Sequence, residues 1–83
     1  MSYDGPTNED RGEWAAEAAA HFADLTMLQD EHASTIAVDL IADLLHWLDL
    51  CADAGTLDPD LPCDPESILR RALDHYTTER DEA

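Results

Sequence analysis

Residues 36–55, which read IAVDLIADLLHWLDLCADAG, decide the fold class of this 83-residue chain. Placed at 100° per residue on a helix, their apolar side chains fill an arc of roughly 200°. That arc is too wide for a helix with one neighbour, so we expect a central helix contacted from two sides. Gly55 should end it. The apolar arc consists of Ile36, Ala37, Leu40, Ile41, Leu44, Leu45, Trp47, Leu48 and Cys51.

A first helix is predicted before this segment. Apolar residues recur there at steps of four, four and three, which is the spacing of an amphipathic helix. Thr7 or Asn8 would cap its start, and it should end between Asp24 and Asp30. Asp30 would also cap the central helix. The apolar face of the first helix consists of Trp14, Ala18, Phe22 and Leu25.

A third helix follows a long connection. The stretch GTLDPDLPCDPES begins at Gly55 and contains three prolines, which predicts turns rather than helix. Asp64 would cap the third helix and Pro65 would be its first residue. Leu57 and Leu61 would fold back over the core. The apolar face of this helix consists of Ile68, Leu69, Ala72, Leu73 and Tyr76.

The predicted fold is therefore all-α, a compact three-helix domain with a long proline-containing connection between helices two and three. Residues 1–8 would be a flexible N-terminal arm, 9–80 the single helical domain and 81–83 a frayed C-terminus. No apolar run is long enough to span a bilayer, and the N-terminal residues do not resemble a signal peptide. We expect a cytoplasmic protein without a membrane partner, in which Cys51 and Cys63 are reduced thiols.

Charge is the most unusual property of the sequence. Twenty Asp and Glu residues stand against four basic residues, all of them Arg, for a net charge of −16. Nucleic acids and anionic lipids repel such a chain, so direct binding to nucleic acid is not expected. Basic protein surfaces and cations are the partners that this field favours.

Carboxylates are predicted to form rows on two helices. On the first helix they would project within about 60° of one another. On the second they would lie in the polar arc. They could occupy a basic nucleic-acid groove on another protein as a decoy, or they could be a solvated face. A salt-adapted host would also favour such a composition. The residues are Asp10, Glu13, Glu17 and Asp24 on the first helix and Asp39, Asp43 and Asp53 on the second.

Metal and catalytic sites have less sequence support. Asp39, Asp43 and His46 share one helical face, but helical metal sites usually draw ligands from several helices. A zinc set built from His46, Cys51, Cys63 and His75 would match no compact zinc signature. No nucleophile lies beside a plausible base. We therefore predict no catalytic residues, no metal, no cofactor and no enzymatic activity.

Trp14 and Trp47 are predicted to pack in the core. The alternative is a partly exposed position at a dimer or partner interface, where tryptophan is enriched. Leu50 projects into the polar arc of the second helix. A helix that is apolar on nearly every side, in so small a protein, suggests a homodimer.

Residues 36–79 resemble a group of small helical proteins from phages and other mobile elements. The resemblance lies in DLIADLLHWLDLCADAG followed by DPESILRRALDHYTTE. Small acidic proteins of such elements include anti-CRISPR and anti-restriction inhibitors, several of which are DNA mimics. The resemblance implies an inhibitor that occupies a basic groove of a CRISPR effector or restriction complex. A phage-encoded protein would act in the cytoplasm of its host cell.

The second helix also resembles a metal-binding helix of the all-α nucleotide pyrophosphohydrolases, where a Glu-x-x-Asp row holds magnesium. Asp39 and Asp43 would correspond to that row, although they are four residues apart rather than three. The preceding Glu-x-x-Glu pair of that family would correspond here to Glu13 and Glu17, or to Glu31 alone. This resemblance implies an alternative function as an active or degenerate pyrophosphohydrolase. A small structural dimer with a salt-adapted composition is the third hypothesis.

Overall fold

The computed structural model describes residues 5–82, and it describes side chains as far as residue 81. The chain forms three helices in sequence order, α1 (Asn8–Thr26), α2 (Ala33–Ala54) and α3 (Pro65–Glu82). The predicted all-α, three-helix fold is confirmed. Half of the predicted arm, residues 1–4, and the last residue lie outside the described part. None of the described helices is long and apolar enough to cross a membrane.

Local hydrogen bonds define the start of α1. The Thr7 backbone N–H donates to Oδ2 of Asp10 at 3.1 Å, and the Asp10 N–H donates to Oγ1 of Thr7 at 3.1 Å. This reciprocal pair is a capping box, which satisfies two backbone donors that the helix itself leaves free. Of the two predicted caps, Thr7 is therefore the one used.

Helices α1 and α2 end in the same way. The residue after each helix, Met27 or Gly55, adopts the left-handed conformation, with φ of 60° and 74°. The N–H of the following residue then bonds to a carbonyl in the last turn, Leu28 to Ala23 at 2.9 Å and Thr56 to Cys51 at 3.0 Å. This is the Schellman arrangement. The predicted stop at Gly55 is confirmed.

The start of α2 differs from the prediction. Asp30 lies in a turn that the Glu31 N–H closes by bonding to the Leu28 carbonyl at 3.0 Å. The helix begins only at Ala33, after His32, whose side chain makes no capping bond. The predicted cap at Asp30 is therefore wrong, because an N-cap side chain reaches only the second or third residue after it in the helix.

The connection and the start of α3 follow the predicted turn chemistry. The Asp60 N–H bonds to Oδ1 of Asp58 at 2.9 Å, which forms a turn inside the connection. Oδ2 of Asp64 accepts the Ser67 N–H at 3.1 Å, and Pro65 is the first residue of α3. The predicted cap is confirmed. Leu57 is half-buried, whereas Leu61 is exposed.

The three helices form an open, flat arrangement. The Cα atoms extend over 45 × 39 × 18 Å, and their radius of gyration is 15.0 Å. A compact chain of this length would have a radius of gyration of about 12 Å. The main helix–helix contact is between α1 and α2, and α3 contacts each of them less. The expectation that α2 is a central helix contacted from two sides is therefore only partly met.

Burial is correspondingly shallow. Among residues 5–81, Ala23 is the only fully buried residue, at 4% exposure. Trp14 and Trp47 are 59% and 57% exposed, so the prediction that they pack in the core is wrong. The spacing correctly placed both tryptophans among the apolar residues of their helices, but no neighbouring helix covers most of either side chain. A partial core consists of half-buried residues: Phe22, Leu28, Ile36, Leu40, Leu45, Leu48, Cys51, Leu57 and Ile68.

The left-handed residue at Met27 generates a stability prediction. Replacing Met27 by Gly should raise the free energy of unfolding by about 1 kcal/mol, because glycine adopts this conformation without steric cost. The Met27 side chain is 84% exposed, so its removal should cost little. Urea unfolding followed by circular dichroism measures the change.

Met27→Ala is the matched control, since it removes the side chain but keeps the Cβ that causes the strain. It should not stabilise the protein. The reciprocal change, Gly55→Ala, should destabilise it through conformation alone, because a Cβ at Gly55 would meet no atom within 4 Å. Equal stability of the glycine and alanine variants at residue 27 would contradict the proposed strain.

The cap of α3 generates a pH prediction. Hydrogen bonds from the Ser67 side chain and then from its backbone lower the pKa of Asp64. A lowered pKa in the folded state stabilises the fold above the ordinary aspartate pKa, and that stabilisation is lost as pH falls through the folded pKa. The wild type should therefore exceed Asp64→Asn in unfolding free energy at neutral pH. The difference should vanish in acid, because asparagine caps without titrating.

Candidate functional site: the carboxylate face of α1

Three exposed carboxylates define a face along α1. Glu13, Glu17 and Asp24 project about 80–120° around the helix from the buried Ala23, and all three are exposed. We call these three residues the carboxylate face. None of them makes a hydrogen bond or an ion pair with another residue of the described chain. Their charges are therefore directed to the surroundings of the protein.

Asp10 has a different position from the rest of the predicted row. Its carboxylate accepts the Thr7 N–H in the capping box, and the residue is half-buried. A carboxylate at this position also interacts favourably with the positive end of the helix dipole. Asp10 thus has a local structural role at the helix start, whatever it contributes to the outward field.

The carboxylates predicted on α2 do not form a single cluster. Asp39 is half-buried and Asp43, one turn later, is exposed. Asp53 is also exposed but lies ten residues further on, about 15 Å along the helix axis. The structure therefore brings Asp39 and Asp43 together and separates Asp53 from them.

Two of the four arginines make contacts away from the carboxylate face. Arg11 forms an ion pair with Glu79 and donates through Nη1 to Oδ1 of Asn8 at 2.8 Å. Nη2 of Arg71 donates to the Pro62 carbonyl at 2.9 Å. Within residues 5–81 the Arg11–Glu79 contact is the only ion pair. The negative charge of α1 is thus not neutralised by the described part of the chain.

An open groove of about 460 Å³ lies between α1 and α3. It holds the polar contacts that join the first turn of α1 to the end of α3. Nδ2 of Asn8 donates to the Glu79 carbonyl at 2.9 Å, beside the Arg11–Glu79 ion pair. The rim also includes Gly12 and Tyr76. These contacts give the groove a structural role in holding α3 against α1.

The helical metal alternative gains no support from the geometry. No three His, Cys, Asp or Glu side chains in the described ranges are arranged to hold a metal ion. Asp39, Asp43 and His46 remain a row on a single helix. Cys51 and Cys63 are both half-buried free thiols, and the Cys63 Sγ donates to the Leu61 carbonyl at 3.2 Å.

Sequence analysis missed an exposed apolar ridge on α2. Five large apolar residues recur there at every third position, and each is between 46% and 68% exposed. Of these, Val38 was not assigned to any face, and Leu50 was predicted to project into the polar arc of a helix whose many apolar sides suggest a homodimer. The strict three-residue spacing is the signal that could have identified them. The ridge, called the apolar ridge below, consists of Val38, Ile41, Leu44, Trp47 and Leu50.

Repulsion within the carboxylate face generates a third prediction. Glu13 and Glu17 are one turn apart, and like charges at that spacing destabilise a helix by about 0.2–0.5 kcal/mol. Glu17→Gln should therefore raise the free energy of unfolding by about this amount at low salt, and by less at high salt. Urea titrations at the two salt concentrations measure it.

Glu66→Gln is the opposite-sign control for this change. Glu66 lies one turn before Arg70 and in the first turn of α3, where its charge is favourable on both counts. Its neutralisation should lower stability at low salt. If both variants shift stability in the same direction, net charge rather than local repulsion determines the effect.

Comparisons with known proteins give no match. No protein-family model matches the sequence, no curated protein is significantly similar to it, and no solved structure matches the fold significantly. The function is therefore argued from the geometry of the described residues.

Proposed function

We propose that this protein binds another protein through the carboxylate face of α1 and thereby occupies a basic groove that otherwise holds nucleic acid. The observation that supports the proposal is the set of three exposed carboxylates on one side of a single helix, without basic partners in residues 5–81. A helix keeps these charges at fixed separations. A flexible acidic tail would have to be ordered on binding, at an entropic cost.

The separations suit a surface that binds phosphates. Side chains one turn apart, such as Glu13 and Glu17, lie about 6 Å from each other, which is comparable with the distance between successive phosphates of a nucleic-acid strand. Glu13 and Asp24 are eleven residues apart, so the face is about 16 Å long. It can therefore contact several basic side chains of one groove.

The overall charge supports the same function. At −16, the protein has a long-range field that attracts a basic surface and accelerates encounter with it. The same field repels nucleic acid, so competition would proceed through the partner protein and not through its substrate. Because the charges are exposed, added salt screens them beyond about 10 Å at moderate ionic strength.

The proposed partner class is a CRISPR effector or restriction complex. It rests on the resemblance of residues 36–79 to small proteins of phages and mobile elements, together with size and charge. Asp39, Asp43 and Asp53 would extend the contact where the groove reaches α2. No residue of the protein is proposed to act catalytically.

A competition assay tests the proposal. Fluorescently labelled target DNA is bound to a CRISPR effector complex or a restriction enzyme, and the protein is added at increasing salt. We expect the protein to displace the DNA at low salt and progressively less as salt rises. The triple variant Glu13→Gln, Glu17→Gln, Asp24→Asn should compete about tenfold less well, a loss of about 1.4 kcal/mol in binding.

The matched control neutralises the same number of exposed acids on α3. Glu66→Gln, Asp74→Asn, Asp81→Asn has the same net charge as the α1 variant but an intact carboxylate face, and should compete like the wild type. Equal losses in both variants would show that net charge alone acts. Failure of the folded wild type to displace DNA from every complex tested at low salt would rule out the proposed function for that class of partner.

A further inference from the structure

We infer that the middle of the apolar ridge of α2, at Ile41, Leu44 and Trp47, is the contact surface of a homodimer and that a second copy of this chain covers it. The inference is independent of the carboxylate face, which lies on α1. It rests on the form of the ridge, on the amount of surface that a single chain leaves in water, and on the flat shape of the molecule.

The ridge has the form of a helix-packing element. Side chains three residues apart make a continuous row on a helix surface, and such a row packs into the groove of a facing helix. The row from Val38 to Leu50 spans twelve residues, about 18 Å along the axis. It contains no charged or polar position, and each of its members is at least 46% exposed. The row turns by about 60° around the axis at each step, so Ile41, Leu44 and Trp47 lie within an arc of about 120° and form the part of the ridge that one facing helix can cover.

The exposed area is larger than a small monomer normally leaves in water. The chain has an accessible surface of 6919 Å², whereas a compact monomer of the same mass would expose about 4,900 Å². If each copy buried about half of this excess surface, the two copies together would bury about 2,000 Å². That area lies at the boundary between standard and obligate dimer interfaces. A single chain therefore has enough uncovered surface for a stable dimer.

The shape indicates how two copies would fit. Stable domains consist of at least two layers of secondary structure around one core. The Cα atoms of this chain extend only 18 Å in one direction against 45 and 39 Å in the others, so its core is thin. Two copies placed together through Ile41, Leu44 and Trp47 would cover these side chains and complete the core that one chain leaves partial.

Symmetry and charge favour a second copy as the occupant. A two-fold dimer joins the same patch on both subunits, and Leu44 lies at the middle of the proposed contact with Ile41 on one side and Trp47 on the other. An apolar row offers no attraction to a basic partner or to nucleic acid. Asp39, Asp43 and Asp49 flank the ridge, so the two copies repel each other through them. Salt should therefore strengthen this dimer, whereas it weakens the binding proposed for α1.

Sedimentation equilibrium of the full chain tests the inference, at low and high salt. We expect the wild type to form dimers, with a dissociation constant that falls as salt rises. Leu44→Glu should weaken dimerisation by roughly 100-fold, because it places an unpaired charge at the centre of the contact. The matched control is Leu25→Glu. Leu25 is 71% exposed and lies about 160° around α1 from the buried Ala23, so this variant should dimerise like the wild type.

Leu44→Ala covers the case in which the glutamate variant does not fold. Alanine keeps the helix, and the truncation should weaken the dimer about tenfold or more. A wild-type chain that sediments as a monomer at both salt concentrations would overturn the inference. So would equal dimerisation of Leu44→Ala and the wild type, or equal dissociation of the Leu25 and Leu44 glutamate variants. The α1 triple variant should still dimerise, so this result is independent of the displacement assay.

Discussion

The structure depends on one constraint: the apolar side chains of α2 occupy more of the helix surface than α1 and α3 cover. Its apolar side chains occupy most of the directions around the axis, but within the described part of the chain α1 makes the only extensive helix contact with it. Burying a large apolar side chain is worth about 1.5–3 kcal/mol, and much of that gain is not realised within one chain. The shallow burial, the flat shape and the exposed ridge all follow from this mismatch.

The elements themselves are defined by local chemistry and not by the core. The capping box at Thr7, the left-handed residues at Met27 and Gly55, and the Asp64 cap each involve residues close together in the sequence. Such interactions contribute about 1 kcal/mol each. They determine where helices begin and end but place few constraints on how the helices pack. The chain can therefore have well-defined helices and an incomplete core.

Two surfaces with opposite physical character result. Low ionic strength favours binding through the carboxylate face on α1, whereas high ionic strength favours contact through the apolar ridge on α2. They lie on different helices. A dimer formed through α2 would carry two carboxylate faces, and its doubled net charge would attract a basic partner more strongly than a single chain does.

The fold was largely predictable from sequence because its signals are local. The number of helices, the stop at Gly55 and the start of α3 at Pro65 follow from spacing, glycine and proline. The cap predicted at Asp30 was wrong because a turn closes before α2 begins. Turn closure depends on backbone hydrogen bonds, which side-chain preferences do not show. Periodicity identified Trp14 and Trp47 as apolar, but burial depends on which helix lies opposite. The carboxylate face of α1 was predictable because it depends on a single helix, whereas the exposure of the apolar ridge depends on how the neighbouring helices pack.

The contact between Asn8 and Glu79 has a consequence for chain connectivity. The Asn8 side chain bonds to the Glu79 backbone, and the Arg11–Glu79 ion pair lies beside it, so the first turn of α1 and the last turns of α3 are neighbours in space. Rearranged proteins tolerate new ends best in exposed loops and need their old ends close together. The 55–64 connection provides such a loop. A circular permutant opened there, with a short linker from α3 to α1, would make α3 the first helix without moving any of the three.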